Sequence, residues 1–177
     1  MDNSKIVEEL KRSIRDIPDF PKKGIIFKDV TTLLKDGKKF QEAIDCIVEK
    51  YKGKRIDKVV SIEARGFIFG SAIAYKLGAG LIPVRKKGKL PYETNRVEYE
   101  LEYGTDSLEI HKDAISPGDN ILMIDDLLAT GGTMNAACGL IESMEGKIVE
   151  VAFLIELTFL KGRERLKGRR IFSLIEF

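Results

Sequence analysis

Short runs that are apolar at nearly every position punctuate this chain. The clearest are Lys58-Val59-Val60-Ser61-Ile62, residues 81–84, and Asn120-Ile121-Leu122-Met123-Ile124. A strand of that kind has no polar face to turn toward water, so it needs cover on both sides. That is the condition of a parallel sheet packed between helices. Helical stripes lie between the runs. Phe40, Ala43, Ile44, Ile47, Val48 and Tyr51 recur at helical spacing, closed by Gly53. Residues 67–77 predict a helix stopped by Gly78, and 133–144 another. Val7, Leu10, Ile14 and Ile17 predict a first helix ending before Pro18. With strands at 147–155 and 170–175, the alternation predicts one α/β domain over 1–177. Its expected core is a mostly parallel, twisted sheet flanked by helices on both faces.

Composition excludes several functions. Thirty Lys and Arg stand against 28 Asp and Glu, a net charge of +2, so no bulk charge favours nucleic acid. No segment approaches the roughly 20 apolar residues that span a bilayer. Met1-Asp2-Asn3-Ser4-Lys5 lacks the apolar core of a secretion signal. The expectation is a cytoplasmic protein without membrane or nucleic-acid partners. Cys46 and Cys138 fall in apolar helical patterns and read as buried free thiols. One histidine, His111, lies in the polar stretch Glu109-Ile110-His111-Lys112-Asp113 and reads as a solvated surface residue. It cannot supply a multi-histidine metal site, and hydrolase triads and zinc sites become poor candidates.

Between Gly88 and Gly104 the alternation breaks. Val97, Tyr99, Leu101 and Tyr103 share one side of a period-2 run, and Glu98, Glu100 and Glu102 the other. Such a segment is either an exposed hairpin arm or a lid over a site.

The chemistry concentrates after the third apolar run, in Asp125-Asp126-Leu127-Leu128-Ala129-Thr130-Gly131-Gly132-Thr133. Two carboxylates end a buried strand, and a small-residue loop enters a helix. Ligands of open α/β sheets bind beyond the carboxyl ends of strands. Gly131 and Gly132 let backbone N–H groups converge at the helix N-terminus, and Thr130 and Thr133 add hydroxyl donors, which suits a phosphate. The loop lacks the lysine of a Walker A motif, so a terminal monophosphate is the better ligand. Paired acids nearby can accept hydrogen bonds from vicinal hydroxyls, and phosphate plus diol describes a ribose 5-phosphate. The bland alternative is that Asp125 and Asp126 only cap the loop. Glu63-Ala64-Arg65-Gly66 also joins a strand to a helix, where Arg65 and adjacent N–H groups either hold a second anion or stand at an ordinary helix start. Arg85, Lys86, Lys87 and Lys89 form a basic cluster that could equally be a solvated charge run.

The Asp125–Thr133 segment resembles the phosphoribosyl pyrophosphate signature of type I phosphoribosyltransferases, and with Met134 it is similar to those acting on adenine. The resemblance extends over Phe20-Pro21-Lys22-Lys23-Gly24-Ile25-Ile26-Phe27-Lys28-Asp29, Glu63-Ala64-Arg65-Gly66-Phe67, Arg85 to Pro91, Leu101-Glu102-Tyr103-Gly104, and Glu156 to Arg163. It implies the type I phosphoribosyltransferase fold, with an N-terminal base-binding hood (about 1–35) and a mobile catalytic loop (about 88–107). It implies that adenine and phosphoribosyl pyrophosphate give AMP and pyrophosphate in purine salvage, with Mg²⁺ carried mainly by the substrate pyrophosphate, in a homodimer.

The resemblance also implies roles for individual residues. Asp125, Asp126, Ala129, Thr130, Gly131, Gly132 and Thr133 would hold the ribose and its 5-phosphate. Glu63, Ala64, Arg65, Gly66, Arg85, Lys86 and Lys89 would serve the pyrophosphate, some across the dimer interface. The family often has Ser at the position of Ala64, and its loop there can carry a non-proline cis peptide. Glu102 would meet the base near N7 and assist proton transfer, while Tyr103 covers the reacting centre. Ile26 would read the purine edge through its backbone, Leu128 would sandwich the ring, and Lys28 stands at a base-binding position where Arg is frequent. The alternatives are transfer to another purine base, or a non-catalytic regulator that keeps the fold. The regulator would carry a DNA-binding domain, for which the residues before Phe20 are too few, and a degraded mobile loop.

Overall fold

The computed structural model describes residues 3–101 and 104–177, without the side chains of Asn3 and Leu101. The chain forms two compact units, Met1–Lys50 and Tyr51–Phe177.

In the smaller unit, α1 (Asn3–Ser13) is followed by β1 (Arg15–Pro18), which pairs antiparallel with β2 (Ile26–Asp29). The helical stripe expected to run through Ile17 therefore stops four residues early. Two forces end it. Pro18 pushes Ile17 out of the helical region, and Arg15 pairs across the two strands with Asp29 at 2.5 Å. Hydrogen bonds from the Thr31 hydroxyl, from Arg15 and from the Thr31 N–H hold the Asp29 carboxyl down at about 2. A short α2 (Thr31–Leu34) leads to α3 (Gly37–Glu49), whose N-cap Asp36 accepts from the N–H groups of Lys38 and Lys39. The α3 face of Ala43, Ile44, Ile47 and Val48 is buried, as its spacing requires.

The larger unit is built on a sheet of seven described strands in the order β5-β6-β4-β3-β7-β8-β9. Its elements are β3 (Lys58–Ile62), α4 (Gly66–Leu77), β4 (Gly80–Lys86), β5 (Thr94–Leu101), β6 (Gly104–His111), β7 (Asn120–Leu128), α5 (Gly132–Ser143), β8 (Lys147–Glu156) and β9 (Ile171–Glu176). The pairs β4–β3, β3–β7, β7–β8 and β8–β9 are parallel; β6 runs antiparallel to both β4 and β5. The apolar runs lie in the middle, with Val59, Val60, Ile121, Leu122 and Met123 fully buried. Each such side chain contributes about 1.5–3 kcal/mol. No helix among the described residues is long and apolar enough to cross a membrane.

Three features differ from the sequence expectation or resolve it. Strand β7 does not stop at Ile124 but continues to Leu128, because β8 runs beside it with Asp125 opposite Phe153 and Leu127 opposite Ile155. The period-2 run is a hairpin arm: β5 and β6 pair from Thr94↔His111 to Leu101↔Gly104, with Val97 and Tyr99 against the core and Glu98 and Glu100 exposed. His111 is half-buried rather than solvated, because it ends β6 with its ring edge-on to Tyr92, 6.2 Å between centroids. Both cysteines are free thiols, Cys46 half-buried and Cys138 buried, and burial pushes the Cys138 thiol up to about 12.

Candidate active site

Strands β3 and β7 lie side by side in parallel, so their carboxyl ends open on the same edge of the sheet. A cavity of about 530 Å³ lies there. Its floor is the end of β7, where Asp125 and Asp126 both reach the lining. The Asp125 Oδ1 accepts the Asp126 N–H at 2.9 Å, and Asp126 pairs with Arg65 Nε at 2.7 Å. Burial drives the Asp125 carboxyl well above its ordinary value, and the Asp126 charge drives it further. Burial raises Asp126 too, against the pull of Arg65. Two desolvated acids held together are strong acceptors for hydroxyl donors, since each hydrogen bond to the charged form offsets its desolvation.

The next wall is the loop Ala129–Gly132 and the first turn of α5, all of it lining the cavity together with Leu128 and Thr133. The helix N-cap is Gly131, in the left-handed region at φ +80° and without a capping side chain. The first N–H groups of a helix have no partners within it. No side chain caps them, so they can take an anion, which the helix dipole favours. Thr133 Oγ1 stands 3.4 Å from the Tyr99 hydroxyl.

The opposite wall is the β3–α4 connection. Glu63, Ala64 and Arg65 line the cavity, and the Glu63–Ala64 peptide is cis. Glu63 accepts from Arg85 Nε at 2.7 Å and pairs with Lys89 Nζ at 3.0 Å. Burial works to raise its carboxyl, but those hydrogen bonds prevail and hold it below the usual range. Lys86 also lines the cavity, paired with Asp106 at 3.0 Å, and the Asp106 hydrogen bond raises its ammonium.

The structure thus brings Glu63, Ala64, Arg65, Lys86, Asp125, Asp126 and the stretch from Leu128 to Thr133 around one cavity. Gly66 stands behind the acids, so close that a Cβ there would lie 2.7 Å from Asp125 Oδ1. Arg85 and Lys89 connect to this wall through Glu63. Ile26 and Lys28 belong to the smaller unit, Ile26 more than half exposed and Lys28 paired with Asp16 at 2.6 Å. Glu102 and Tyr103 lie outside the described residues.

Two polar cavity-lining residues escaped the sequence reading, Tyr99 and Asp106. Tyr99 carried a signal, since it lies on the inward side of the period-2 run. Asp106 carried none: it reaches the cavity because the hairpin register sets it opposite Tyr99.

The family model for the phosphoribosyl transferase domain matches residues 29–173. The chain belongs to this family. It is 62% identical to the adenine phosphoribosyltransferase of Trichlorobacter lovleyi, over 97% of this chain and all of that protein. Among solved structures, the adenine phosphoribosyltransferase of Thermoanaerobacter pseudethanolicus superposes with a TM-score of 0.93 at 56% identity, covering 97% of this chain and 99% of that one. The Saccharomyces cerevisiae adenine phosphoribosyltransferase, solved with D-2,5-dideoxy-2,5-imino-altritol 1,6-bisphosphate and adenine, gives 0.92 at 41%, with coverage of 97% and 99%. Family membership covers both walls of the cavity, because 29–173 includes Glu63 and Thr133 alike.

Proposed function

We propose that this phosphoribosyltransferase makes AMP and pyrophosphate from adenine and phosphoribosyl pyrophosphate, a purine-salvage reaction in the cytoplasm. The observation that carries the reading is one cavity with anion-binding groups on two walls and a pair of acids between them. A phosphate at one end, a diol in the middle and a pyrophosphate at the other end fit that order of charges. The relatives in Trichlorobacter lovleyi and Thermoanaerobacter pseudethanolicus, both named for adenine, support the choice of base.

N9 of adenine displaces pyrophosphate at the anomeric carbon with inversion, through an oxocarbenium-like transition state. The Ala129–Gly132 backbone and the hydroxyls of Thr130 and Thr133 take the 5-phosphate. Asp125 and Asp126 accept hydrogen bonds from the ribose hydroxyls and fix the sugar for in-line attack. Arg65 and Lys86 stabilise the charge that gathers on the departing pyrophosphate, while Glu63 positions Arg85 and Lys89. These groups act by holding two reactants in register and by meeting developing charge. For the purine, the family resemblance implies Leu128, Lys28 and the backbone of Ile26. Glu102 assists proton transfer near N7, and Tyr103 excludes water. The donor set on the protein side offers two carboxylates, one already paired to Arg65, which fits a Mg²⁺ ion held mainly by pyrophosphate oxygens and water. When bound, the ion would neutralise the leaving group. The reading includes a homodimer.

Phosphoribosyl pyrophosphate offered with adenine, hypoxanthine, guanine and xanthine in turn tests this. AMP formation should exceed the other products by orders of magnitude, and turnover of a 6-oxopurine in its place would overturn the assignment.

A further inference from the structure

Behind the phosphate loop lies a part of the chain that does not line the cavity. After β8 the chain makes two 3₁₀ turns, Thr158–Leu160 and Gly162–Leu166. At the start of the second, Gly162 presses its backbone against the loop. A Cβ built on Gly162 would overlap the Ala129 carbonyl oxygen and lie 2.8 Å from Leu128 Cδ1. The approach is reciprocal: a Cβ on Gly131 would lie 2.5 Å from the Gly162 carbonyl oxygen. Gly162 does not have a positive φ, so its backbone conformation is open to any residue. Only the contact requires glycine there.

The turn is anchored where it leaves the sheet. Arg163 donates through Nε to both carboxylate oxygens of Glu156, at 2.7 and 3.0 Å, and through Nη2 at 2.6 Å. Glu156 is 3% exposed, and Ser173 on β9 donates to it as well. The Leu157 N–H bonds the Leu128 carbonyl at 2.9 Å, so the turn is tied to the strand that delivers the loop. A forked guanidinium on a buried carboxylate is a stiff joint.

We propose that Gly162 is a positioning residue for phosphoribosyl pyrophosphate: by meeting Ala129–Gly131 backbone to backbone, it sets the aim of the loop N–H groups, and the Arg163–Glu156 pair holds it in place. This rests on the phosphate reading of that loop. A methyl group at Gly162 has two neighbours to displace, and they yield differently. Leu128 is buried and assigned to the purine, so its shift passes a part of the displacement to the base end, whereas the Ala129 carbonyl can retreat only by moving the loop. The effect should therefore fall mainly on the phosphate end of the site.

The test compares the full-length wild type with Gly162→Ala and Arg163→Met. Ribose 5-phosphate binding is followed by calorimetry, KM for each substrate is measured separately, and ligand-free melting is recorded. Gly162→Ala is expected to weaken ribose 5-phosphate binding and raise the phosphoribosyl pyrophosphate KM about tenfold, with the adenine KM changed by clearly less. Arg163→Met should move the same quantities in the same direction by less, and it decides the matter if Gly162→Ala does not fold. Unchanged ribose 5-phosphate affinity in the folded variants would overturn the proposal. So would weakening of both substrates in proportion to lost thermal stability, which is what a merely structural role produces. Failure of the wild type itself to bind ribose 5-phosphate would instead remove the phosphate reading, and this proposal with it.

Discussion

The setting of Asp125 disfavours a negative charge on its carboxyl. Burial and the Asp126 charge raise its carboxyl in the folded chain, while the unfolded chain keeps the ordinary value. The folded state therefore binds more protons between those two values. Stability of the ligand-free protein falls as pH rises through that window, and the full penalty is present above it. Asp125→Asn removes the charge and leaves an oxygen to accept the Asp126 N–H. At pH 8 this variant should melt about 2–4 °C higher than wild type in the absence of ligand, as expected for roughly 1 kcal/mol in a chain of this size. The gain should shrink as pH falls toward the usual carboxylate range, and thermal melts between pH 5 and 8 would record it. Phosphoribosyl pyrophosphate affinity should fall in the same variant. The residue is set for its ligand at the expense of the empty fold, which is common at binding sites.

At the scale of elements, the β5–β6 hairpin touches both ends of the cavity. Tyr99 meets Thr133 beside the phosphate loop, and Asp106 holds Lys86 on the opposite wall. A substrate that takes Lys86 must first remove it from Asp106. Asp106→Asn should therefore lower the KM for phosphoribosyl pyrophosphate, by roughly two- to fivefold, since a half-exposed ion pair is worth at most about 1 kcal/mol. Steady-state kinetics at two ionic strengths would check this, because the difference should narrow in high salt. The hairpin also marks where the sequence was readable and where it was not. Strand β3 was legible to the residue, as Lys58–Ile62 is apolar enough to have one reading. The inward side of β5 was legible in Val97 and Tyr99. Strand β7 was legible only to Ile124, because paired acids look like a loop until β8 is beside them. Asp106 and Gly162 were hidden for the same reason: each acts through a partner that only the tertiary fold brings near. Ile17 matched the helical spacing of its neighbours, yet cross-strand pairing and Pro18 decided otherwise.

At the scale of the whole molecule, helix α4 carries apolar side chains that the described residues leave exposed. Ile68 and Tyr75, seven residues apart on one face of the helix, are 42% and 87% exposed. In the homodimer reading this face is the first place to test. Tyr75→Glu should shift the sedimentation coefficient toward that of a 19.9 kDa monomer, because a charge at the centre of an apolar contact is desolvated without a partner. Unchanged sedimentation would move the contact elsewhere.

The pairing of cations with acids at the cavity wall and just behind it has a bearing on the company the enzyme keeps. Arg65 sits on Asp126, Lys86 on Asp106, and Arg85 and Lys89 on Glu63. These groups are close to charge balance. On the wall they form, a chloride ion or a lone orthophosphate must break one of the pairs and gives back little in exchange. A ligand with charges at both ends can replace several at once. On the proposed function, the preference of that wall for pyrophosphate over a small anion lies as much in the pairs it already holds as in the contacts it offers.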